Sequence, residues 1–557
     1  MTEAGFRRCM ATGLLVHLAS QRLIVFNFLM GIISLIIGGI AAIFVGLTRS
    51  SFVLLEQLGL QNTYYYWLNL HGFNMLIFWI LWFEVALIYF VATILLNAPL
   101  YSIRVGWLSF ILMLIGWLIM NVMNIAGDSI VLFTAYIPLS APPIFYIGYL
   151  LFALGVAVAV INFFLTLYKA RIEGRYSGHL PLVTWGAGIA AIIGLVVVAY
   201  GAFAITYALL FSSNYGLSGD VMFYRWFFWG LGHSAQYVNV TAMVAVWYAL
   251  LALGTGFVAA KFVNERYARI AFAMYTLFVV PGIGHHILVD PGFSAIFKQA
   301  SGSVGSHFLS VPSMLHALAL LGGVEATLRA SGHTSLLGWL KKIPWRNPAI
   351  SGMLLSMILF GIGGIIAQPQ TTLQPNLLFH NTLWVPGHFH LTVVGGTTLA
   401  FMSLSYYVVP LLTEKKLISS KMSIIQIYLF FIGIFILTLS MAWLGWLGSP
   451  RRTFISYEEL IENGWYVPAT FLGIGALLAI VAGILFVLNM VLTVLISKKA
   501  SSASELLEGL VSPIEIKDEK AVRKTGSLVI VIILLVFILL AVYFASFIRL
   551  EGLPKIW

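Results

Sequence analysis

The sequence predicts an all-α integral membrane protein, a bundle of about 13 transmembrane helices with the N-terminus inside and the C-terminus outside. Three observations carry that prediction. Of the 557 residues, 61% are hydrophobic and 9% charged, and the mean hydropathy is +0.99, whereas soluble domains are roughly half apolar and about a quarter charged. Apolar runs long enough to cross a bilayer, ~20 residues as helix, recur along the whole chain. The basic residues are shared unequally between the gaps that separate these runs.

The runs lie at roughly 24–46, 65–96, 105–126, 142–168, 180–211, 222–255, 268–290, 304–328, 349–367, 383–412, 424–447, 466–496 and 527–548. Arg7, Arg8 and Arg22 precede the first run without a small-residue cleavage pattern, so that run is read as a span and not as a removed signal. With the N-terminus inside, 23 of the 30 lysines and arginines fall on inner segments. Only Arg49, Arg225, Lys298, Arg451, Arg452, Arg549 and Lys555 fall outside, an asymmetry that fits the positive-inside rule. The net charge of +11 is therefore a topology signal and calls for no nucleic acid. The longest polar stretch, 497–525, is read as an inner loop between the last two spans, and residues 1–557 as one polytopic unit without a soluble domain. A single cysteine, Cys9, excludes disulfide frameworks, zinc fingers and a two-thiolate copper centre built from this chain alone.

Six of the twelve histidines fall inside spans: His71, His233, His285, His286, His388 and His390. Imidazoles in hydrocarbon are costly and face functional interiors. Alternating the direction of successive spans puts all six at similar depth in the outer half of the membrane, which points to metals. His388 and His390, in Trp384-Val-Pro-Gly-His-Phe-His390, stand ~200° apart on a helix and so address two cofactors on opposite sides. That arrangement suits two haems, each with an axial imidazole. His285 and His286 are adjacent and can reach one ion only at a distorted helix end, which Pro281, Gly282 and Gly284 supply. His233, sharing a helix face with Tyr237, would complete a three-imidazole site of the kind that holds copper.

These motifs resemble subunit I of the haem-copper oxygen reductases. Gly232-His-Ser-Ala-Gln-Tyr237, Gly284-His-His-Ile287 and Trp384-Val-Pro-Gly-His-Phe-His390 match three family motifs in order, and the likeness covers nearly the whole chain. The resemblance implies His71 and His390 as axial ligands of a low-spin haem and His388 as the proximal ligand of a high-spin haem. It implies His233, His285 and His286 as ligands of one copper ion, with Tyr237 cross-linked to His233. The span-six motif has no glutamate, and the thirteen spans, the His380-Asn381 pair and Pro450-Arg451-Arg452 look like the B type. Ser234 stands where the family usually has proline, and Asn376 where B-type relatives often carry an acid.

The implied activity is that of the catalytic subunit of a respiratory terminal oxidase in a prokaryotic plasma membrane. It would reduce dioxygen to water, with proton uptake and pumping. Electrons would come from quinol, or from a cytochrome or blue copper protein through a further membrane subunit of the subunit II type. Arg451 and Arg452 lie on the side of the six histidines and suit haem propionates through the guanidinium fork, and His380 and Asn381 join that polar layer. A proton route from the inside is expected along Tyr237, Thr241 and Tyr248 of span six and Ser306, Ser310, Ser313 and His316 of span eight. There Val244 and His316 replace the family's tyrosine and threonine. Glu84 is an intramembrane acid without an assigned partner. Two alternatives remain open at this point. A nitric oxide reductase of the same superfamily would share the histidines and lack Tyr237. A proton-coupled transporter with a histidine relay would be colourless and would not need the pair two apart on span ten.

Overall fold

The computed structural model describes residues 5–214, 219–520 and 526. Among them are eleven helices long and apolar enough to cross a membrane, and a helix pair bent by 51° makes a twelfth span. In chain order, spans one to six are Leu18–Thr48, Gln61–Thr93, Ile103–Ala126, Pro143–Ile172, Leu182–Ser212 and Val221–Gly254. Span seven is the bent pair Glu265–Phe278 and Pro281–Ile287, and span eight is Ala295–Ala330. Spans nine to twelve are Pro348–Thr371, Trp384–Thr413, Ser420–Trp446 and Tyr466–Leu495. Each corresponds to one of the first twelve apolar runs. The thirteenth run, 527–548, lies outside the described residues, as do 521–525 of the polar stretch.

The helix ends follow from capping more than from hydropathy. The His17 side chain accepts from Ser20 N and starts span one at Leu18, ahead of its apolar run. Ser294 accepts from Phe297 N and opens span eight at Ala295, well before its apolar run at 304. Asp220, Asn264, Asn347 and Ser419 cap spans six, seven, nine and eleven in the same way, each satisfying amide donors that the first turn leaves open.

Span four shows how one helix serves lipid and core together. Ile147, Leu154, Ile161, Leu165, Tyr168 and Ile172 remain exposed, while Tyr146, Tyr149, Phe152, Ala159 and Phe163 are buried; helical spacing gathers each set on its own face. Lipid offers no hydrophobic driving force between helices, so contact depends on close packing and interhelical hydrogen bonds. Asn69 Nδ2 donates to Asn124 Oδ1, and Asn74 Nδ2 to Asn121 Oδ1, both at 2.8 Å, joining spans two and three. Trp117 Nε1 donates to Ser34 Oγ at 2.9 Å, and Trp247 Nε1 to Ser356 Oγ at 2.7 Å. Spans eleven and twelve meet through glycine: a Cβ on Gly433 would lie 2.6 Å from Ala479 N, and one on Gly475 would press into the backbone of Leu437.

Three spans break their α-helical winding with π segments, at Asn74–Phe78, Lys298–Gly305 and His390–Thr398. Each lies next to a residue singled out from the sequence: His71, Ser306 and His390. Such insertions re-aim side chains and concentrate at functional sites. At the opposite end of the bundle, the polar stretch after span twelve packs back on the helices. Leu506 and Leu510 are buried, Leu510 O accepts from Asn347 Nδ2 at 2.7 Å, and Ser512 N donates to Gly254 O at 2.9 Å. Lys517 N donates to Ala330 O at 2.8 Å, so the stretch closes over the ends of spans six, eight and nine.

Gly475→Val should lower the melting temperature of the purified protein in detergent, through an overpacking cost of ~1–3 kcal/mol or more. Gly188→Val, where a new Cβ meets nothing within 4 Å, should leave it unchanged. Equal melting temperatures would remove the glycine contact from the account of this interface.

Candidate functional site

The six intramembrane histidines line one cavity of about 1170 Å³. They reach it from spans two, six, seven and ten, as their spacing predicts. Span ten divides its pair: His390 turns to span two, where its ring lies nearly parallel to that of His71, 12° apart with centroids at 6.3 Å. Two imidazoles that share one iron, with ~2 Å metal–nitrogen bonds, need about this separation. His388 turns the other way, toward span nine, and its Nδ1 hydrogen-bonds Gly363 O at 2.9 Å.

The second cluster forms where span seven breaks. His285 and His286 lie on the 3-10 turn Pro281–Ile287, the distorted end that adjacent ligands require. His233 Nδ1 is 3.0 Å from His286 Nε2, and one ring nitrogen from each of the three histidines falls within 4.8 Å of the others. His233 Nε2 is buried without a hydrogen-bond partner. Span six runs as unbroken α-helix through the motif with Ser234 in place of the expected proline, and the Ser234 Oγ is buried and unpartnered. The Tyr237 ring centroid is 5.3 Å from that of His233.

Backbone carbonyls orient four of the six rings. His71 Nδ1 lies 3.1 Å from Gly38 O, and His390 Nδ1 lies 2.8 Å from Pro386 O. His285 Nδ1 lies 2.8 Å from Gly282 O and 2.9 Å from Ser306 Oγ. A carbonyl can only accept, so Nδ1–H is the donor at Gly38, Gly282, Gly363 and Pro386, and Nε2 is left with the lone pair that a metal needs.

At the rim, the expected polar layer assembles. Arg451 donates to Asn381 Oδ1 at 3.0 Å, and its backbone N donates to Asn381 O at 2.8 Å. Arg452 lies over the rings of Phe133 and Tyr136. Both arginines line the cavity, and among the described residues neither pairs with a carboxylate. Burial, and after it the neighbouring Arg452, pulls the Arg451 guanidinium down to about 9. Burial, then the positive charges of Arg451 and Arg225, push the His380 imidazole down to about 4. Two crowded cations without anions make a cradle for carboxylates such as haem propionates. Asn376, in place of an acid, turns its amide to Gln370 O and His285 O.

The expected proton-route residues divide. Tyr248 Oη and His316 Nδ1 are 2.9 Å apart. Ser313 Oγ is 2.8 Å from Tyr275 Oη, whose ring lies 6.0 Å from Tyr237 and 5.8 Å from His316. The Thr241 and Ser310 hydroxyls are turned onto their own helix, at Tyr237 O and His307 O, and Ser306 bonds His285 and Gly282 O. Sequence reasoning missed Tyr275, which bridges spans six and eight from span seven. It also missed Trp229, one turn before His233, whose ring stacks on His286 at 3.6 Å and 1°. Arg49, read from the sequence only as an outer-side charge, ties Thr453 O, Ser449 Oγ and Pro450 O and so fixes the loop that carries Arg451 and Arg452.

The family model described as "Cytochrome C and Quinol oxidase polypeptide I" matches residues 22–463, a span that includes every histidine of the cavity. The chain belongs to this oxidase subunit I family. Cytochrome c oxidase subunit 1 of Thermus thermophilus is 29% identical over 492 residues, covering 86% of this chain and 85% of the relative. A probable quinol oxidase subunit 1 of Staphylococcus haemolyticus is 25% identical over 486 residues, covering 82% and 67%. A solved haem-copper terminal oxidase dimer matches with a TM-score of 0.79 and 25% identity over 87% of this chain and 86% of that one. Haem and copper are the expected cofactors of this oxidase fold, and the donor set fits them: paired parallel imidazoles, a three-imidazole cluster and a cradle of unpaired guanidinium groups.

His71→Ala or His390→Ala should remove the low-spin haem absorption from the purified protein while bound copper persists; a normal low-spin spectrum in either variant would overturn this pairing. Replacing His233, His285 or His286 with alanine should lower copper content in metal analysis and abolish turnover, with the low-spin haem largely preserved. Full copper occupancy with normal oxygen uptake would rule out the shared site.

Proposed function

We propose that this chain is the catalytic subunit of a respiratory terminal oxidase of the B type, reducing dioxygen to water with two haems and one copper ion. The observation that carries the proposal is the convergence of six histidines from four spans on one cavity, as a parallel pair, a cluster of three and a single ring between them. His71 and His390 hold one haem, His388 holds the second, and His233, His285 and His286 hold copper. Held there, the groups would supply electron transfer at His71 and His390 and dioxygen reduction at the site of His388 and the three-histidine cluster.

The chain's own groups orient and protonate. Gly38, Gly363 and Pro386 carbonyls fix the haem-facing imidazoles, and Gly282 O with Ser306 fixes one copper-facing ring. Trp229 lies flat against His286 and prevents it from turning. Arg451 and Arg452, held by Asn381 and Arg49, balance propionate charge, with His380 beside them. Tyr237 can give its phenolic proton within the site, and Tyr275, Ser313, His316 and Tyr248 form the polar line that replaces it from the far end of the bundle. On this reading that far end is the inner side of a prokaryotic cell membrane, which the distribution of lysine and arginine supports. The electron donor is quinol, or a small redox protein acting through a further membrane subunit.

Tyr237→Phe decides the role of the phenol. The substitution keeps the ring and most of its packing, so haems and copper should assemble while oxygen consumption nearly vanishes, a fall of ~100-fold or more. A tyrosine that merely joined helices would cost ~1 kcal/mol of stability and little rate. Near-normal oxygen consumption would remove the redox role and reopen the nitric oxide reductase alternative.

A further inference from the structure

Glu84 is a buried carboxylic acid in the middle of span two for which the oxidase reading has no use. Span six packs against it and presents Asn239 and Gln236, the second of which lines the metal cavity. Glu84 Oε1 lies 2.9 Å from the Asn239 amide, and the Asn239 amide lies 3.1 Å from Gln236 Oε1. Glu84 Oε2 is buried without a hydrogen-bond partner. No cation among the described residues pairs with the carboxyl. Spans one, three, four, five, six, ten and twelve pack against span two; apart from the imidazoles His233, His388 and His390, their charged side chains are Arg22, Arg104, Lys169, Arg171 and Arg225. All of them stand near helix ends.

The Asn239 amide is satisfied with its nitrogen toward Glu84, where it donates to Glu84 Oε1 at 2.9 Å and to Ala235 O at 3.2 Å; the opposite orientation would set Asn239 Oδ1 against the Ala235 carbonyl, two acceptors. Gln236 then turns its amide nitrogen to Asn239. Glu84 Oε1 accepts from Asn239 in either protonation state, and Oε2 is the oxygen that can carry the proton. The pair thus accommodates the acid and the carboxylate without moving a helix. An unpaired carboxylate inside a membrane is costly, and an added electron nearby in a low dielectric favours a bound proton.

We propose that Glu84 is a redox-linked proton store of the metal cavity, coupled to it through the amides of Asn239 and Gln236. The proposal rests on the oxidase reading. When the centre is reduced, Glu84 holds a proton. On reoxidation the proton leaves Oε2 and is consumed, with the electrons of the reduced centre, in forming water from dioxygen, leaving the carboxylate to the amide of Asn239. No electron moves at Glu84.

Infrared difference spectroscopy of the whole purified oxidase, reduced minus oxidised, tests this directly. The wild type should show the carbonyl-stretch band of a protonated carboxyl group, and the band should move when the protein carries 13C-carboxyl glutamate. Glu84→Gln should lose the band while keeping both haem spectra and taking up fewer protons on reduction; Asn239→Leu should shift it. If Glu84→Gln does not assemble, Glu84→Asp is measured instead, and the band should then follow a 13C-aspartate label. A wild type whose haems reduce normally without any carboxyl band overturns the proposal, as does a band unchanged in the Glu84 variants. A chain that binds no haem overturns the oxidase reading, and the proton store with it.

Discussion

The hydrogen bond from an imidazole Nδ1 to a backbone carbonyl organises the centre of this protein. A neutral histidine offers one donor and one acceptor, and a metal needs the acceptor. In hydrocarbon, the donor must find a partner within the protein, because water is absent and an unmet polar group is expensive. Gly38, Gly282 and Gly363 supply three of the four carbonyls. These glycines stand where chains crowd: a Cβ on Gly38 would lie 2.7 Å from Met75, and one on Gly363 would lie 2.7 Å from Thr392. For Gly38 and Gly363, which stand on neighbouring spans, close packing of the helices brings the acceptor within reach of the ring, while Gly282 and Pro386 lie within a turn of the histidine they orient. Ring orientation, tautomer and helix spacing are therefore one property of the bundle.

Irregular backbone is the second element of the design. His285 and His286, adjacent in sequence, could not reach one ion from a regular helix, whereas His388 and His390 are already parted by helical pitch. A 3-10 turn after a 51° bend gathers the first pair onto one point. The second pair sits where α-helix passes into a π segment, and separates to opposite sides. Irregular winding is tolerated at membrane depth where protein or a cavity surrounds it, and here it borders the cavity. Charge follows the same logic at the rim, where Arg49 uses backbone and serine acceptors to hold a loop bearing two further cations.

What the sequence disclosed and what it hid have physical causes. The six histidines stood out because an imidazole in an apolar span is costly enough to need a reason, and their spacing on a helix of known pitch fixed which could share an ion. Twelve of the spans were legible as apolar runs, although Ser294 and His17 start two of them earlier than hydropathy indicates. Trp229 and Tyr275 were hidden, because an aromatic residue in an apolar run carries no signal of its own; their roles appear only when spans six and seven meet. The partner of Glu84 was equally hidden, since Asn239 lies on another helix and nothing local links the two. Thr241, Ser306 and Ser310 show the converse. Helical spacing put them on promising stripes, but a hydroxyl in a membrane helix often turns to its own backbone or to the nearest ring.

The π segment of span ten also constrains how the chain can change in length. A π turn accommodates one residue more than an α turn over the same rise. Deleting a single residue within His390–Thr398 would let the helix relax to regular winding with the residues that follow still on their faces, whereas a deletion in regular helix would rotate them by ~100°. Phe401, Tyr406 and Tyr407, buried among neighbouring helices, would keep their packing in the first case and lose it in the second. A change of one residue in the spacing between His390 and Tyr406 can therefore be absorbed at the π segment, and in an alignment of relatives that spacing reports whether the extra residue is present.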